Sequence, residues 1–203
     1  MDPHDEHDHD DAPPDTRPDP RTIALDRADT LLLVVDIQER LASAMEPGAL
    51  AGVLKNAEVL LKAAVRLGLP VVASEQYPRG LGPTVPRLRE LLPEAPLEKV
   101  EFSVGNNKAL ARAVLQTGRR QVIVVGMEAH VCVFQTARDL VRGGFAAFVP
   151  QDAVLSRTPA NLSVGLSLCA KAGATVTGTE TVLFDLLGVA GTPEFKDLSP
   201  LIR

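Results

Sequence analysis

Three side chains that can together move a proton and attack a carbonyl carbon lie at or beside apolar stretches of this sequence: Asp36, Lys99 and Cys132. A cysteine supplies a nucleophilic sulfur, a carboxylate takes its proton and later returns one, and an ammonium group stabilises the charges that form. The ends of parallel strands meet at one edge of an open α/β sheet, where ligands bind. The residue types therefore predict a cysteine hydrolase, although spacing alone does not require three strand ends to converge.

Two of the three residues also have an ordinary structural interpretation. Asp36 follows the apolar run TLLLVV and is equally suited to cap a helix N-terminus. Lys99 lies in the alternating stretch LEKVEFSV, and a lysine on a strand is usually solvated.

A receiver-type phospho-acceptor domain also uses a strand-end Asp and a Lys, but it needs a cluster of acids after its first strand. The Ile37-Gln38 pair that follows Asp36 does not supply that cluster.

Cys132 lies between a predicted strand and a predicted helix. The β-branched run 122–125 followed by Gly126 indicates a buried strand, and apolar residues at helical spacing follow the cysteine. The N-terminus of a helix favours a thiolate over a thiol. We therefore expect the pKa of the Cys132 thiol to lie below the ordinary value of about 8.5. Cys169 lies within an apolar helical stretch and is expected to be a core residue.

Predicted strands and helices alternate along residues 23–203, which indicates one α/β domain built from βαβ units. The predicted strands are 30–35, 70–73, 97–104, 122–125, 145–149 and a short one near 176. The predicted helices are 48–67, 106–116, one beginning at 132, 159–172 and 180–187. This order predicts a three-layer, Rossmann-like sandwich with a mainly parallel sheet and helices on both faces.

The charge of the chain is concentrated at its N-terminus. The formal net charge is −5, and residues 1–20 contain eight acids and one arginine, so the remainder is close to neutral. We predict that residues 1–22 form a disordered acidic tail, because they bury too little apolar surface to offset the entropy of ordering. The weak charge of the remainder argues against nucleic-acid binding, and no apolar run is long enough to span a membrane. Two cysteines make no disulfide framework, which favours a cytoplasmic protein.

The segments around the three reactive residues resemble the isochorismatase-like cysteine hydrolases. The resemblance covers nearly all of residues 29–203, with LLLVVDIQERL around Asp36, LEKVEFSV around Lys99 and GMEAHVCVFQTARDL around Cys132. It implies a catalytic triad of these three residues and a six-stranded parallel sheet between two layers of helices. The stretches EQYPRGLGPTVP and PEFKDLSPLIR are similar to the subgroup called isochorismatase domain-containing proteins.

The resemblance also implies an oxyanion hole next to the nucleophile. Members of the family usually have a non-proline cis peptide just before the cysteine, which corresponds here to Met127–Glu128, and such bonds are rare in proteins. The backbone of Met127, Glu128 and Ala129 then forms part of the hole. Many relatives carry Thr where this chain has Ala129, so part of the hole differs here.

The histidine content bears on metal binding and on the substrate. Nicotinamidases of this family share a metal site made of Asp and His residues after the first strand. This chain has no histidine between Asp36 and Lys99, and His130 is its only histidine outside the N-terminal tail. We therefore predict no metal and no cofactor, and nicotinamide becomes an improbable substrate.

Four further residues are candidate substrate contacts, because loops near strand ends commonly carry function. They are Gln38, Tyr77, Phe102 and His130. Tyr77 is equally suited to pack its ring at the rim of a site, and His130 to cap nearby backbone groups.

We expect a metal-independent hydrolase that cleaves the C–N bond of a small amide, carbamoyl or related compound through an acyl-enzyme on Cys132. Hydrolysis of an isochorismate-type vinyl ether is an alternative, which ranks lower because it requires no thiol nucleophile. A binding or scaffolding protein that keeps the three residues without turnover is the alternative from a different class. Relatives commonly form dimers or tetramers, so the resemblance implies a homo-oligomer.

Overall fold

The computed structural model describes residues 23–202, in which the strands form one parallel sheet. The spatial order is β3-β2-β1-β4-β5-β7, with β6 paired to the end of β4. The strands are Thr30–Val35 (β1), Val71–Gln76 (β2), Leu97–Lys99 (β3), Gln121–Met127 (β4), Ala146–Pro150 (β5), Val154–Leu155 (β6) and Thr175–Thr177 (β7). The predicted α/β class is confirmed, and the described sheet has seven strands rather than six because the two-residue β6 was not predicted. The predicted tail, 1–22, lies outside the described residues.

Helices connect most of the strands. They are Glu39–Ala42 (α1), Pro47–Leu67 (α2), Pro78–Leu81 (α3), Pro86–Arg89 (α4), Lys108–Gln116 (α5), Phe134–Arg142 (α6), Pro159–Lys171 (α7), Thr179–Leu187 (α8) and Pro193–Leu198 (α9). Two 3₁₀ turns, Val104–Asn106 and Ser199–Ile202, and a π-helical turn, Ala129–Val133, complete the described elements. Within residues 23–202, no helix is both long enough and apolar enough to cross a membrane.

The two faces of the sheet are covered by different helices. Leu32 and Val34 of β1 belong to a core that also contains residues of α2 and α8. Leu31 and Leu33 belong to a second core, shared with α5, α6 and α7. Because successive strand residues point to opposite faces, a strand that is apolar throughout needs cover on both sides. β1 and β4 are buried along their whole length for this reason.

The carboxyl ends of four neighbouring strands meet at one edge of the sheet. Val35 pairs with Gly126 of β4 on one side and with Ser74 of β2 on the other. Further along β2, Gln76 pairs with Lys99 at the end of β3. The strand ends that carry the candidate residues, whose convergence the spacing alone did not require, therefore meet at the edge formed by β3, β2, β1 and β4.

The predicted strand 97–104 is too long. In the described sheet, β3 is the edge strand and pairs with β2. It ends at Lys99 because β2 ends at the paired residue Gln76. The alternating residues Val100 and Phe102 consequently lie in a loop, where 69% and 53% of their surface is exposed.

The helix predicted to begin at Cys132 also differs, because the chain first forms the π-helical turn and α6 begins at Phe134.

Candidate active site

Asp36 lies where β1 leaves the sheet. Its backbone N–H still donates to the carbonyl oxygen of Ser74, at 3.1 Å, but its φ is +53°, so the chain turns away after one further residue. Among residues other than glycine, Asp and Asn adopt this left-handed conformation most readily. Strained backbone of this kind is commonly found at functional sites.

Asp36 and Lys99 form a buried ion pair. The Lys99 Nζ lies 2.6 Å from Asp36 Oδ2, and both side chains are 0% exposed. The Ser74 hydroxyl donates to the other carboxylate oxygen at 2.7 Å. Burial raises the pKa of Asp36, while the Lys99 charge and the hydrogen bonds from Lys99, Ser74 and Cys132 act in the opposite direction. A carboxylate whose pKa is raised is a better proton acceptor than an ordinary one.

Cys132 completes the cluster from the π-helical turn. Only 6% of its surface is exposed, and its thiol donates a hydrogen bond to Asp36. Burial and the negative charge of Asp36 raise the pKa of the thiol to about 12, although the charge of Lys99 lowers it. Our prediction of a lowered pKa is therefore wrong, because desolvation and the adjacent carboxylate outweigh the lysine and any effect of a helix N-terminus. The resting side chain is a neutral thiol hydrogen-bonded to the Asp36 carboxylate.

The peptide bond between Met127 and Glu128 is cis, at the position that the resemblance implied. The carbonyl oxygen of Glu128 accepts hydrogen bonds from the N–H groups of Val131 and Val133, which closes the turn around the cysteine. The buried Glu128 carboxylate accepts hydrogen bonds from the backbone N–H of Arg157, at 3.0 Å, and from its Nε, at 3.1 Å. These contacts attach the segment after β6 to the π-helical turn Ala129–Val133, which carries the candidate nucleophile Cys132 and is called the nucleophile turn below.

Two glycines allow the backbone to approach closely behind the nucleophile turn. A Cβ atom on Gly126 would lie 1.9 Å from the carbonyl oxygen of Val35, and its φ is +133°. A Cβ atom on Gly165 of α7 would lie 2.6 Å from the carbonyl carbon of Ala129 and from the amide nitrogen of His130. Neither contact is possible for a larger residue without movement of the backbone.

The four candidate substrate contacts occupy different environments. Tyr77 and Phe102 are 55% and 53% exposed, and the Phe102 carbonyl oxygen lies 3.3 Å from Lys99 Nζ. His130 is partly buried, with its Nδ1 3.0 Å from the hydroxyl of Ser156. Gln38 is fully buried and its side-chain amide is bonded to backbone groups, so it is not placed to contact a substrate. We reassign Gln38 as a structural residue of the site.

Ser74 and Gln76 are residues of the site that we did not predict. They alternate along β2 and therefore point to the same face as each other, where Ser74 contacts Asp36 and Gln76 contacts Lys99. Two polar residues at alternate positions directly after an apolar run were the sequence signal from which these site residues could have been predicted.

In residues 23–202, no group of three or more His, Cys, Asp or Glu side chains is arranged to hold a metal ion.

Known proteins resemble this chain over most of its described length. A family model described as the isochorismatase domain matches residues 30–181. Isochorismatase domain-containing protein 1 of Salmo salar is 34% identical over 176 residues, which are 87% of this chain but 62% of that protein. This chain therefore spans less than two thirds of the length of that relative.

Solved structures agree with these sequence matches. The MAR1 ribonuclease of Caenorhabditis elegans is 35% identical, with a TM-score of 0.81 over 88% of this chain and 92% of that one. The YcaC protein of Escherichia coli, described as an octameric hydrolase of unknown specificity, is 26% identical, with a TM-score of 0.79 over 92% and 89% of the two chains. The matched domain and the shared fold establish that this chain belongs to the isochorismatase family.

Proposed function

We propose that this protein is a metal-independent cysteine hydrolase that cleaves the C–N bond of a small amide, carbamoyl or related substrate. The observation that carries the proposal is that Asp36 binds both the Lys99 ammonium and the Cys132 thiol, although the three residues come from different parts of the chain. The family assignment supports hydrolysis as the reaction class. The scarcity of histidine outside the tail supports a mechanism without metal.

In the proposed first step, the Cys132 sulfur attacks the carbonyl carbon while its proton passes to Asp36. The tetrahedral intermediate places a negative charge on the former carbonyl oxygen. We assign its stabilisation to the backbone N–H groups of Ala129 and Cys132, since those of Val131 and Val133 are already bonded to Glu128. The proton on Asp36 then passes to the departing nitrogen, the C–N bond breaks, and a thioester remains on Cys132.

In the second step, water hydrolyses the thioester. Asp36, again a carboxylate, takes a proton from the water as its oxygen attacks the thioester carbon. The second tetrahedral intermediate releases the acid product, and the sulfur regains its proton from Asp36. Lys99 stays paired with Asp36 throughout and keeps the buried carboxylate ionised between proton transfers.

The test is turnover of a panel of small amides and carbamoyl compounds, together with intact-protein mass spectrometry of the reacting enzyme. We expect product release from at least one class of amide, a mass increase equal to the acyl group on Cys132, and no effect of EDTA. Cys132→Ser is expected to lose turnover by a factor of at least 10³. Full turnover by Cys132→Ser, or no adduct during wild-type turnover, would contradict the acyl-enzyme.

The nematode relative is named a ribonuclease, so RNA belongs in the same panel. The Lys99 side chain is 0% exposed, so this lysine is not placed to bind a phosphate directly. A protein that turns over neither amides, vinyl ethers nor RNA would match the binding or scaffolding alternative.

Two further expectations accompany the proposed reaction. The E. coli relative is described as octameric, which supports our expectation that this chain forms a homo-oligomer, such as a dimer or tetramer. A cytoplasmic location remains a prediction from cysteine content alone.

A further inference from the structure

We propose that Gln76 is a positioning residue of the active site, whose side-chain carbonyl oxygen holds the Lys99 ammonium in place against Asp36. The inference rests on the proposed function of Asp36, Lys99 and Cys132. It assigns a role to Gln76, which takes no part in the steps proposed above. Gln76 is the last residue of β2, and 8% of its surface is exposed.

The orientation of the Gln76 amide is determined by its two partners. Its Oε1 lies 2.6 Å from Lys99 Nζ, and its Nε2 lies 2.8 Å from the carbonyl oxygen of Val100. An ammonium group only donates and a carbonyl oxygen only accepts, so the reversed amide would lose both hydrogen bonds. Gln76 therefore fixes Lys99 and the chain that follows it at the same time.

Lys99 has a protein acceptor for each of its three protons. They are Asp36 Oδ2 at 2.6 Å, Gln76 Oε1 at 2.6 Å and the carbonyl oxygen of Phe102 at 3.3 Å. The side chain is 0% exposed, so water cannot replace an acceptor that is lost. Without Gln76, a buried charged donor would be unsatisfied, and the ammonium would move or lose its proton.

Gln38 holds Gln76 in turn by taking the place of a strand residue. Because β1 leaves the sheet at Asp36, the backbone of Gln76 has no strand residue beside it on that side. The Gln38 Oε1 accepts from the Gln76 N–H at 2.8 Å, and its Nε2 donates to the Gln76 carbonyl oxygen at 3.0 Å and to that of Gly82 at 2.7 Å. The side chain thus continues the hydrogen bonding of the sheet past the turn at Asp36.

The position of Lys99 has a chemical consequence at Cys132. The charged groups that act on the thiol are Asp36 and Glu128, which favour the protonated form, and Lys99, which favours the thiolate. Lys99 is the only one of these that opposes the effect of burial. A change that displaces or neutralises its ammonium should therefore decrease the amount of thiolate at a given pH.

The experiment compares Gln76→Glu, Gln76→Met and wild type in the rate of Cys132 alkylation by iodoacetamide at pH 8, with the modified residue identified by mass spectrometry. Glutamate adds a negative charge beside Lys99, and methionine removes the acceptor at similar volume. We expect both variants to react about three- to tenfold more slowly, since one pKa unit changes the thiolate concentration tenfold and higher nucleophilicity offsets part of this. Gln116→Glu, on the exposed end of α5, adds the same charge away from the site and should match wild type.

A merely structural role for Gln76 would lower the melting temperature without changing the alkylation rate of the folded protein, and that result would overturn the inference. If both variants fail to fold, the wild type decides the question through its lysine ¹H–¹⁵N spectrum. Three bonded protons with no exposure predict a Lys99 ammonium signal that persists at pH 7, and rapid exchange of that signal would equally overturn the inference. Alkylation needs no substrate, so an absence of amide turnover would contradict the proposed function and leave this test intact.

Discussion

At the scale of single residues, the charge balance around Cys132 decides how the site works. The thiol is held as a neutral donor to Asp36, with a pKa of about 12, rather than stored as a thiolate. In the proposed mechanism, the sulfur therefore attacks the substrate carbonyl as its proton passes to Asp36. Asp36 raises the pKa of the thiol and is also its base in the proposed mechanism, so removing Asp36 should have opposite effects on alkylation and on turnover.

We predict that Asp36→Asn accelerates alkylation of Cys132 at pH 8 and abolishes amide turnover. Asn fits the left-handed backbone of this position, and loss of the carboxylate lowers the thiol pKa, so more thiolate is present. In wild type, the alkylation rate should rise about tenfold per pH unit from pH 8 to 10 without a plateau, because this range lies below the raised pKa. Slower alkylation of Asp36→Asn, or a wild-type plateau near pH 8, would contradict this charge balance.

The buried ion pair should also be visible in stability. Lys99→Met leaves Asp36 buried without its cation, and removing one partner of such a pair costs about 3–5 kcal/mol. Lys62→Met is the matched control, because Lys62 pairs with Glu58 at 2.6 Å but is 40% exposed, and an exposed pair contributes about 0–1 kcal/mol. Urea denaturation at pH 7 measures both free energies of unfolding, and equal losses would show that the buried pair has no special role.

At the scale of elements, the nucleophile turn depends on the helix packed behind it. α7 approaches the backbone of Ala129 and His130 at Gly165, where there is no space for a side chain. The contact is between the helix and the segment that carries the proposed oxyanion donors. Small shifts there should change catalysis more than they change the fold.

We predict that Gly165→Ala lowers the turnover number at least tenfold and destabilises the protein by about 1–3 kcal/mol, the usual cost of overpacking. Gly52→Ala makes the same change inside α2, where a Cβ would meet nothing within 4 Å. That control should instead stabilise the protein by about 0.5–1 kcal/mol, because Ala is the better helix former. Turnover and thermal unfolding of the two variants check this, and identical behaviour would show that α7 does not constrain the turn.

The elements that the sequence predicted well are those whose own residues determine them. β1 and β4 are apolar along their whole length, and the α2 pattern ends at Gly68 with a φ of +72°. The end of β3 and the presence of β6 depend instead on which strand lies alongside, information that is absent from local patterns. The same reason explains why Ser74 and Gln76 were not predicted, since their partners are distant in sequence.

At the scale of the whole molecule, the sheet order explains how distant residues meet. β1 and β4 are neighbours, and β2 and β3 follow on the other side of β1. Cys132 after β4, Asp36 after β1 and Lys99 at the end of β3 therefore lie at the same edge of the sheet. The three candidate residues were predicted from the sequence, but their convergence follows only from this order. The pKa of Cys132 was predicted in the wrong direction, because burial of the complete site is not visible in a segment of sequence.

The assembly of the protein is a prediction at the same scale. Val100, Phe102 and Tyr77 expose apolar surface beside the site, and the E. coli relative is described as octameric. We predict that light scattering on a gel-filtration column gives an integer multiple of the chain mass that is stable over a tenfold dilution. A monomer at micromolar concentration would contradict the expected homo-oligomer.

The protonated state of Cys132 has a consequence for the design of covalent inhibitors. Compounds that react selectively with thiolates would react faster with exposed cysteines of other proteins than with the protonated Cys132. An electrophile that mimics the substrate, such as a nitrile or aldehyde, would bind in the site. The Cys132 sulfur would attack its electrophilic carbon while the thiol proton passes to Asp36. Selectivity at this site would then come from the relay between thiol and carboxylate, which an unrelated cysteine lacks.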